Sequence, residues 1–292
     1  MRRIPRTVSL NVWRALLVAA ILAIWQWGFA FNARYDWLIP DLLDPYFVSR
    51  PSEIWARFLR LACLTSREGA WLPGREGAFT ACLAQNPNNL WIGTLVTLKN
   101  TFWGFVAGSA SGVLVGLVLG RSQLLAQFFE PFIMAVNSIP RIALIPFIIL
   151  IFGLGDISKI VTAWVIVFFV VFFNTFEGAR GVDRDHIAVA RLFGATHWQV
   201  TLTVIIPSTM AWVFAALTPA ISFSLIGVIV GEFIGAERGV GKIIVEAEAR
   251  AQAADMMVAL FVLMVVGVTL ALVIRRLQGY LLRWQAHFQQ GR

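Results

Sequence analysis

Six long apolar runs constrain this chain more than any other feature of its sequence. Several of them reach the roughly 20 apolar residues that a helix needs to cross a bilayer core of about 30 Å. Hydrophobic residues make up 59% of the 292 residues and charged residues only 14%, unlike a soluble domain. The sequence therefore predicts an all-α polytopic membrane protein with six transmembrane helices, at about 12–31, 94–119, 131–152, 160–176, 208–231 and 256–274.

The distribution of charge predicts how these spans are oriented. Basic residues exceed acidic ones in the C-terminal tail 276–292, whereas acidic residues exceed basic ones in the segment 232–255. Because short cytoplasmic loops carry the excess of Lys and Arg, both termini are predicted to be cytoplasmic. The formal net charge of +8 is attributed to this topology, so no nucleic-acid partner is expected.

Residues 1–93 are predicted to form one span followed by an extracytoplasmic segment. The first run is long for a signal peptide and does not end in an Ala-x-Ala site, which favours an uncleaved span. Residues 52–64 are predicted to form an amphipathic helix, either lying in the membrane interface or simply connecting its neighbours. Cys63 and Cys82 are the two cysteines of the chain. They either form a disulfide in an oxidising compartment or remain as free small residues.

The second run carries a glycine at every fourth position. Small residues at this spacing occupy one face of a helix and let another helix approach closely in lipid. We therefore predict tight helix packing at this face, without deciding whether the neighbour belongs to the same chain or to a second copy. The glycines are Gly104, Gly108, Gly112, Gly116 and Gly120.

The third run contains features that a simple anchor does not need. Prolines inside a span free backbone carbonyls, which protein or water must then satisfy. An arginine within an apolar run costs about 2.5–3.5 kcal/mol on insertion scales, so it faces protein or water, or it reaches the interface. A pathway or gate and a purely structural role both remain open. The pathway residues predicted from this run and the fifth are Asn137, Ser138, Pro140, Arg141, Ser222 and Ser224.

Several functional classes are disfavoured by what the sequence lacks. Residues 235–242 resemble a phosphate-binding loop, but Gly235 and Gly241 are one residue too far apart and Ile243 follows Lys242. No metal-binding or hydrolase motif occurs, so no catalytic residue, metal or bound cofactor is expected. No acidic residue lies inside the six runs, which disfavours an ion-coupled carrier.

A polar island at 177–207 separates the fourth and fifth runs. It contains small residues at 188 and 190, Gly194 four residues later, and Val-Ile-Ile-Pro ending at Pro207. This pattern resembles the EAA motif of ABC-importer permeases. Residues 139–160 and 231–241 are similar to the matching stretches of the nitrate/sulfonate/taurine group. The resemblance covers about 94–275 and implies a permease core with the type I ABC-importer fold.

The resemblance also implies a location in a bacterial inner membrane, partners and site residues. It implies a homodimer, a dimer of ABC ATPase subunits that binds ATP-Mg, and an extracytoplasmic binding protein that contacts 232–255 and 153–159. A coupling helix at about 186–200 would enter a groove of the ATPase. The residues assigned to this contact are Ala188, Ala190, Arg191, Phe193, Gly194, Ala195, Trp198 and Pro207.

One position departs from the family pattern, since Ala188 replaces the leading glutamate of the motif. A charge contact with the ATPase is therefore in question, with Asp183 and Asp185 as the alternatives. The transported solute is expected to be a small anion such as a sulfonate, nitrate or taurine. A pyrimidine vitamin precursor or an aromatic compound is the alternative. A passive or ion-coupled channel and a membrane scaffold or enzyme remain as alternative classes.

Overall fold

A computed structural model describes residues 6–35, 49–65, 78–85 and 88–281. Every regular element within these ranges is helical. The chain divides into two compact units, which are described separately. Unit 1 comprises residues 1–91 and 243–262, and unit 2 comprises residues 92–242 and 263–292.

Unit 1 contains three complete helices of the described chain, α1 (Arg6–Tyr35), α2 (Pro51–Leu61) and α3 (Ala78–Gln85). The predicted amphipathic helix at 52–64 is α2, which begins with a proline in its first turn, where no backbone donor is needed. Gln26 of α1 pairs with Ser52, donating to its hydroxyl at 3.0 Å and accepting from its backbone N–H at 3.1 Å. These bonds tie α2 to α1.

Cys63 and Cys82 form a disulfide that joins the end of α2 to α3. The indole of Trp91 donates to the carbonyl of Ala62 at 2.9 Å, beside this bridge. Both contacts hold the end of α2 within unit 1.

Replacing both cysteines with serine is expected to loosen this part of unit 1. A disulfide closing a loop of this length restricts the unfolded chain by about 3 kcal/mol in the chain-entropy model. Hydrogen exchange of the backbone amides in 49–65 and 78–85 should therefore accelerate in the double variant and in the wild type treated with reductant. Unchanged exchange in both samples would show that the bridge contributes nothing to local stability.

Of the described helices, six lie wholly in unit 2 and three more have residues in both units. A 3₁₀ turn at Arg141–Leu144 precedes α6, and a π-helical turn at Thr201–Ile205 joins α9 to α10. The helices are α4 (Leu90–Arg121), α5 (Gln123–Asn137), α6 (Ile145–Phe152), α7 (Asp156–Arg180), α8 (Arg184–Leu192), α9 (His197–Val200), α10 (Ile206–Gly235), α11 (Val240–Ala249) and α12 (Ala253–Leu281).

Four helical stretches of the described chain are long and apolar enough to cross a membrane: α4, α7, His197–Gly235 and α12. The predicted third span is not one straight helix, because Leu124–Asn137 and Arg141–Phe152 meet at 80°. Pro140 lacks an N–H and disfavours helical backbone at the residue before it, which accounts for the break. Counting this pair as one span gives five. The described apolar stretch of α1, Val12–Gly28, is shorter, so the sixth span stays a prediction.

The glycine face of α4 packs against α7 of the same chain. A Cβ added at Gly108 would lie 2.7 Å from Cβ of Val167, and one at Gly116 would lie 2.7 Å from Cβ of Thr175. Only glycine permits this approach. Since the partner residue number rises in step with the glycine number, α4 and α7 run parallel. The chain must therefore return across the bundle between them, which supports counting α5 and α6 as one crossing.

Helix α10 packs antiparallel on α7. Near the start of α10, Trp212 lies against Gly178, and near its end Gly227 lies against Ala163. One core cluster of unit 2 lies between these helices and α4, and it consists of Phe105, Val167, Val171, Ala216, Ala220 and Ile221. As a result, the end of α7, the start of α10 and α8 lie at one end of the bundle. The start of α7 and the end of α10 lie at the other.

Candidate functional site

Helix α8 is a separate short element with its own capping at both ends. The Asp183 carboxylate accepts a hydrogen bond from the backbone N–H of Asp185 at 2.9 Å, which satisfies a donor that the first turn leaves free. Asp185 stays exposed. Of the two acids considered as substitutes for the missing glutamate, Asp183 is therefore engaged in capping and Asp185 is available to a partner.

The end of α8 explains the spacing between Ala190 and Gly194. The N–H of Ala195 donates to the carbonyl of Ala190 at 3.1 Å, and that of Gly194 donates to Arg191 at 2.9 Å. These two bonds form a Schellman motif, which requires a left-handed residue after the helix end. Gly194 takes that position with φ of 81°, where a side chain on an L-residue is unfavourable.

The segment predicted as a coupling helix, about 186–200, comprises α8, a turn and α9. Thr196 and Gln199 form a reciprocal capping box that starts the next helix. From there the helix continues through the π turn into α10, so one apolar helix extends over His197–Gly235. Pro207 lies in the first turn of α10 and inside this longer helix.

Large apolar side chains project from the α8 tip, which we define as residues 189–198. Leu192 is 87% exposed and Phe193 88%, while Trp198 is 62% exposed. Ala190 and Ala195 pack instead against a cluster of Ala179, Val182, Val200 and Ile205 at the base of the tip. Ala188 and Arg191 are exposed. Exposed large apolar groups on a capped, well-packed base are typical of a protein-binding surface.

Arg141 lies at the bend between α5 and α6. Its guanidinium donates to Oδ1 of Asn137, and its Cζ lies 5.4 Å from the ring centroid of Phe169. Its Nε is buried and has no hydrogen-bond partner. The cation is thus held by an amide and a π face, with donor capacity left for a ligand.

The other predicted pathway residues are not all brought to this bend. Asn137, Ser138 and Pro140 are exposed there, and the Ser138 hydroxyl donates to the carbonyl of Met134 at 2.9 Å. Ser222 is exposed on α10. Ser224, in contrast, is fully buried and donates to the carbonyl of Thr101 on α4 at 2.8 Å. In this conformation Ser224 therefore joins two helices and faces no open path.

An apolar cavity of about 250 Å³ lies between α4, α5 and α7. Phe169, which carries the Arg141 cation on one side, belongs to its wall. The cavity therefore places aromatic surface next to a partly satisfied cation. It is lined by Val115, Leu119, Phe129, Ile133, Phe168, Phe169 and Phe172.

Unit 1 contains a larger polar cavity, of about 760 Å³. Arg57, Arg60 and Arg250 line it together with Glu246 and Asp255. Arg57 and Asp255 are paired at 3.5 Å. Charged and amide groups thus dominate a cavity in the segments predicted to be extracytoplasmic.

The burial of Glu232 is a feature that the sequence did not predict. It directly follows the predicted fifth span, and it lies in the last turn of α10 with 1% exposure. The apolar run ends at residue 231, so hydropathy gives no sign that the helix continues. The closely spaced Gly239 and Gly241 are the sequence feature that could have indicated close packing around a buried group.

Comparison with known proteins gives a consistent family. Residues 112–287 match the family model described as binding-protein-dependent transport system inner membrane component. A riboflavin transport system permease protein from Chloroflexus aurantiacus is 32% identical over 68% of this chain and 74% of its own. The taurine transport system permease protein of Escherichia coli is 24% identical over 98% of this chain and 93% of its own.

Two further comparisons concern the solute and the fold. A nitrate import permease protein from Synechococcus elongatus is 28% identical over 52% of this chain and 55% of its own. An inward-facing structure of the MetNI methionine ABC transporter matches 64% of this chain and 95% of its own chain. The TM-score of that match is 0.57 at 22% identity, which supports a shared fold.

Proposed function

Because the chain belongs to the family of binding-protein-dependent transport system inner membrane components, we propose that it is the transmembrane subunit of an ATP-driven ABC importer. Membership in this family of transport permeases makes it a multi-pass protein of the inner membrane. ATP hydrolysis is assigned to a separate ATPase subunit, which binds ATP-Mg. The permease itself contributes the solute path and the contact that receives the ATPase movement.

The exposed apolar surface of the α8 tip is the structural observation that best supports this proposal. Leu192 and Phe193 are almost fully exposed, yet their backbone is fixed by the Schellman motif at Gly194. A rigid apolar projection gains most when it enters a groove of a partner, because little conformational entropy is lost on binding. We assign this surface to the contact with the ATPase, as a coupling helix. Because Ala188 carries no charge, we propose that the shape of the tip, and not an ion pair at position 188, holds this contact.

The remaining partners follow from the same assignment. Two copies of the chain are proposed to form the permease dimer, with an ATPase beneath each copy. The binding protein is assigned to the opposite, extracytoplasmic side, at segments 153–159 and 232–255. The polar cavity of unit 1, in segments also predicted to be extracytoplasmic, carries charged groups suited to polar recognition.

We propose a small anion of the sulfonate, nitrate or taurine type as the solute. Arg141 supports this choice, since it lies at the bend of a broken span and has an unused buried donor. Arginine suits planar oxyanions because its fork offers paired donors. An aromatic or pyrimidine solute is the second candidate, which the phenylalanine-lined cavity beside Arg141 favours.

Arg141→Gln is expected to reduce uptake of an organosulfonate at least tenfold, because it removes the charge that receives the anion. Arg141→Lys should retain part of the uptake, since the charge remains but the fork is lost. Lys99→Gln serves as the control, since Lys99 is an exposed cation paired with Asp156 at 3.1 Å. Initial uptake rates in proteoliposomes measure the effect. Equal rates for all three variants and the wild type would exclude Arg141 from anion selection.

The proposed function is tested by reconstituting the chain with the ATPase and binding protein of its own genome. ATP-dependent solute uptake that requires all three components is the expected result. Uptake by the permease alone, with no effect of ATP, would instead establish a passive channel. Uptake that needs an ion gradient and no ATP would establish a coupled carrier.

A further inference from the structure

Glu232 is a buried carboxylate that the proposed coupling surface does not use. It lies in the last turn of α10, at the end of the bundle opposite α8. A charged group with 1% exposure is costly unless hydrogen bonds replace its lost hydration. Its donors therefore indicate what holds it there.

Three donors form a continuous chain around this carboxylate. The Thr97 hydroxyl of α4 donates to Oε1 at 2.8 Å, and the backbone N–H of Gly241 donates to Oε2 at 2.8 Å. The backbone N–H of Val240 donates in turn to the Thr97 hydroxyl at 3.0 Å. We call this group of Glu232, Thr97, Val240 and Gly241 the Glu232 latch.

The loop beyond α10 is shaped around the same carboxylate. A Cβ at Gly239 would overlap the Glu232 carboxyl group, and one at Gly241 would lie 2.7 Å from Cβ of Glu232. Gly239 also adopts φ of 133°, a conformation that other residues avoid. The two glycines thus provide the space and the backbone geometry that the buried acid requires.

The latch joins α10 to the N-terminus of α11. Val240 and Gly241 are the first two residues of α11, so their N–H groups have no partner within the helix. A carboxylate is favoured at this positive end of the helix dipole. Glu232 therefore acts as a distant N-terminal cap for α11, with Thr97 of α4 as the shared partner.

The neighbouring cation serves a separate contact. The stem of Lys159 lies against Gly231, and its ammonium donates to the backbone carbonyls of Leu154 and Gly155. Lys159 therefore holds the loop 153–155 on α7. The two segments assigned to the binding protein are thus each fixed by a buried charged residue at this end of unit 2.

We propose that Glu232 is a positioning residue that couples the extracytoplasmic segment to the ATPase contact. The helix His197–Gly235 is continuous from the α8 tip to the latch and is about 60 Å long at 1.5 Å per residue. While the hydrogen bonds of the latch are intact, a displacement of α11 by the binding protein also displaces α10. The movement of α10 then reaches the ATPase contact at the other end of that helix. This inference rests on the proposed function, since it assumes a binding protein and an ATPase.

Glu232→Gln weakens the latch with little change in volume. The amide is uncharged and has one acceptor oxygen in place of two, so the charge-assisted hydrogen bonds from Thr97 and Gly241 become weaker. In nanodiscs containing the assembled permease and ATPase, basal ATP hydrolysis should stay within twofold of the wild type. Stimulation by the solute-loaded binding protein should fall at least tenfold. A residue needed only for folding would reduce both rates together.

Two further variants and one direct measurement complete the test. Thr97→Val should behave as Glu232→Gln does, and it decides the question by the same criterion if Glu232→Gln does not assemble. Glu177→Gln, at an exposed position of α7 outside both segments assigned to the binding protein, should leave stimulation unchanged. Backbone amides at 240 and 241 should exchange faster in both latch variants.

The outcomes separate the latch from the importer assignment. A wild-type assembly without stimulation would overturn the proposed function. Normal stimulation in the latch variants, with exchange at 240 and 241 accelerated, would overturn the latch alone.

Discussion

Phe193→Glu is expected to abolish copurification of the ATPase while the permease still inserts and folds. The side chain is 88% exposed and contributes little to the core of unit 2, so its loss should not destabilise the chain. An aromatic anchor at the centre of an interface is worth about 2 kcal/mol or more, and burying a carboxylate there adds a desolvation penalty. Affinity should therefore fall by at least about 30-fold.

Leu124→Glu is the matched control for this experiment. Leu124 is 76% exposed and lies in the segment 120–130, which the predicted orientation also places in the cytoplasm. Copurification from detergent extracts, with insertion checked by membrane fractionation, measures both variants. Retained binding by Phe193→Glu, or equal loss in both variants, would remove the α8 tip from the ATPase contact.

Gly108→Leu is expected to have the largest effect on stability. Even the first carbon of a side chain at 108 would lie 2.7 Å from Val167 and 2.9 Å from the carbonyl of Trp164. The backbone carbonyl cannot rotate away, so α4 and α7 must separate along their glycine-lined contact. Forcing a larger side chain into a packed site typically costs about 1–3 kcal/mol, and leucine here should reach at least the upper end of that range.

Gly279→Leu provides the control, because nothing lies within 4 Å of a Cβ added at that position of α12. Thermal unfolding in detergent, followed by the loss of monodisperse protein on size exclusion, compares the two. The Gly108 variant should unfold at a clearly lower temperature or fail to accumulate. Equal midpoints for both variants would mean that the α4–α7 contact tolerates separation and contributes little to the fold.

Hydropathy and small-residue spacing predicted the parts of the fold that depend on local sequence. The glycine face of α4 follows from a period of four, and the structure adds that its partner is α7 of the same chain. The 80° bend between α5 and α6 was less accessible. Prolines mark where a helix can break, but the angle depends on packing against distant helices.

The candidate site likewise combines features that local sequence predicts with features that depend on tertiary packing. The position of Gly194 could be predicted from its spacing, and the Schellman motif supplies the physical reason for it. The burial of Glu232 could not, because its partners Thr97 and Gly241 approach it only through the tertiary fold. Asp183 and Asp185 were equivalent in the sequence and became distinct only through the capping bond at 2.9 Å.

Cross-linking from the α8 tip shows directly whether this surface contacts the ATPase. The two cysteines of the chain are joined in a disulfide, so Leu192→Cys would introduce a single free thiol. With a short bismaleimide, this thiol should cross-link to a cysteine placed in the groove of the ATPase, and Leu124→Cys should not. Cross-linking from position 124 and none from position 192 would contradict the account, because the ATPase would then contact the permease elsewhere.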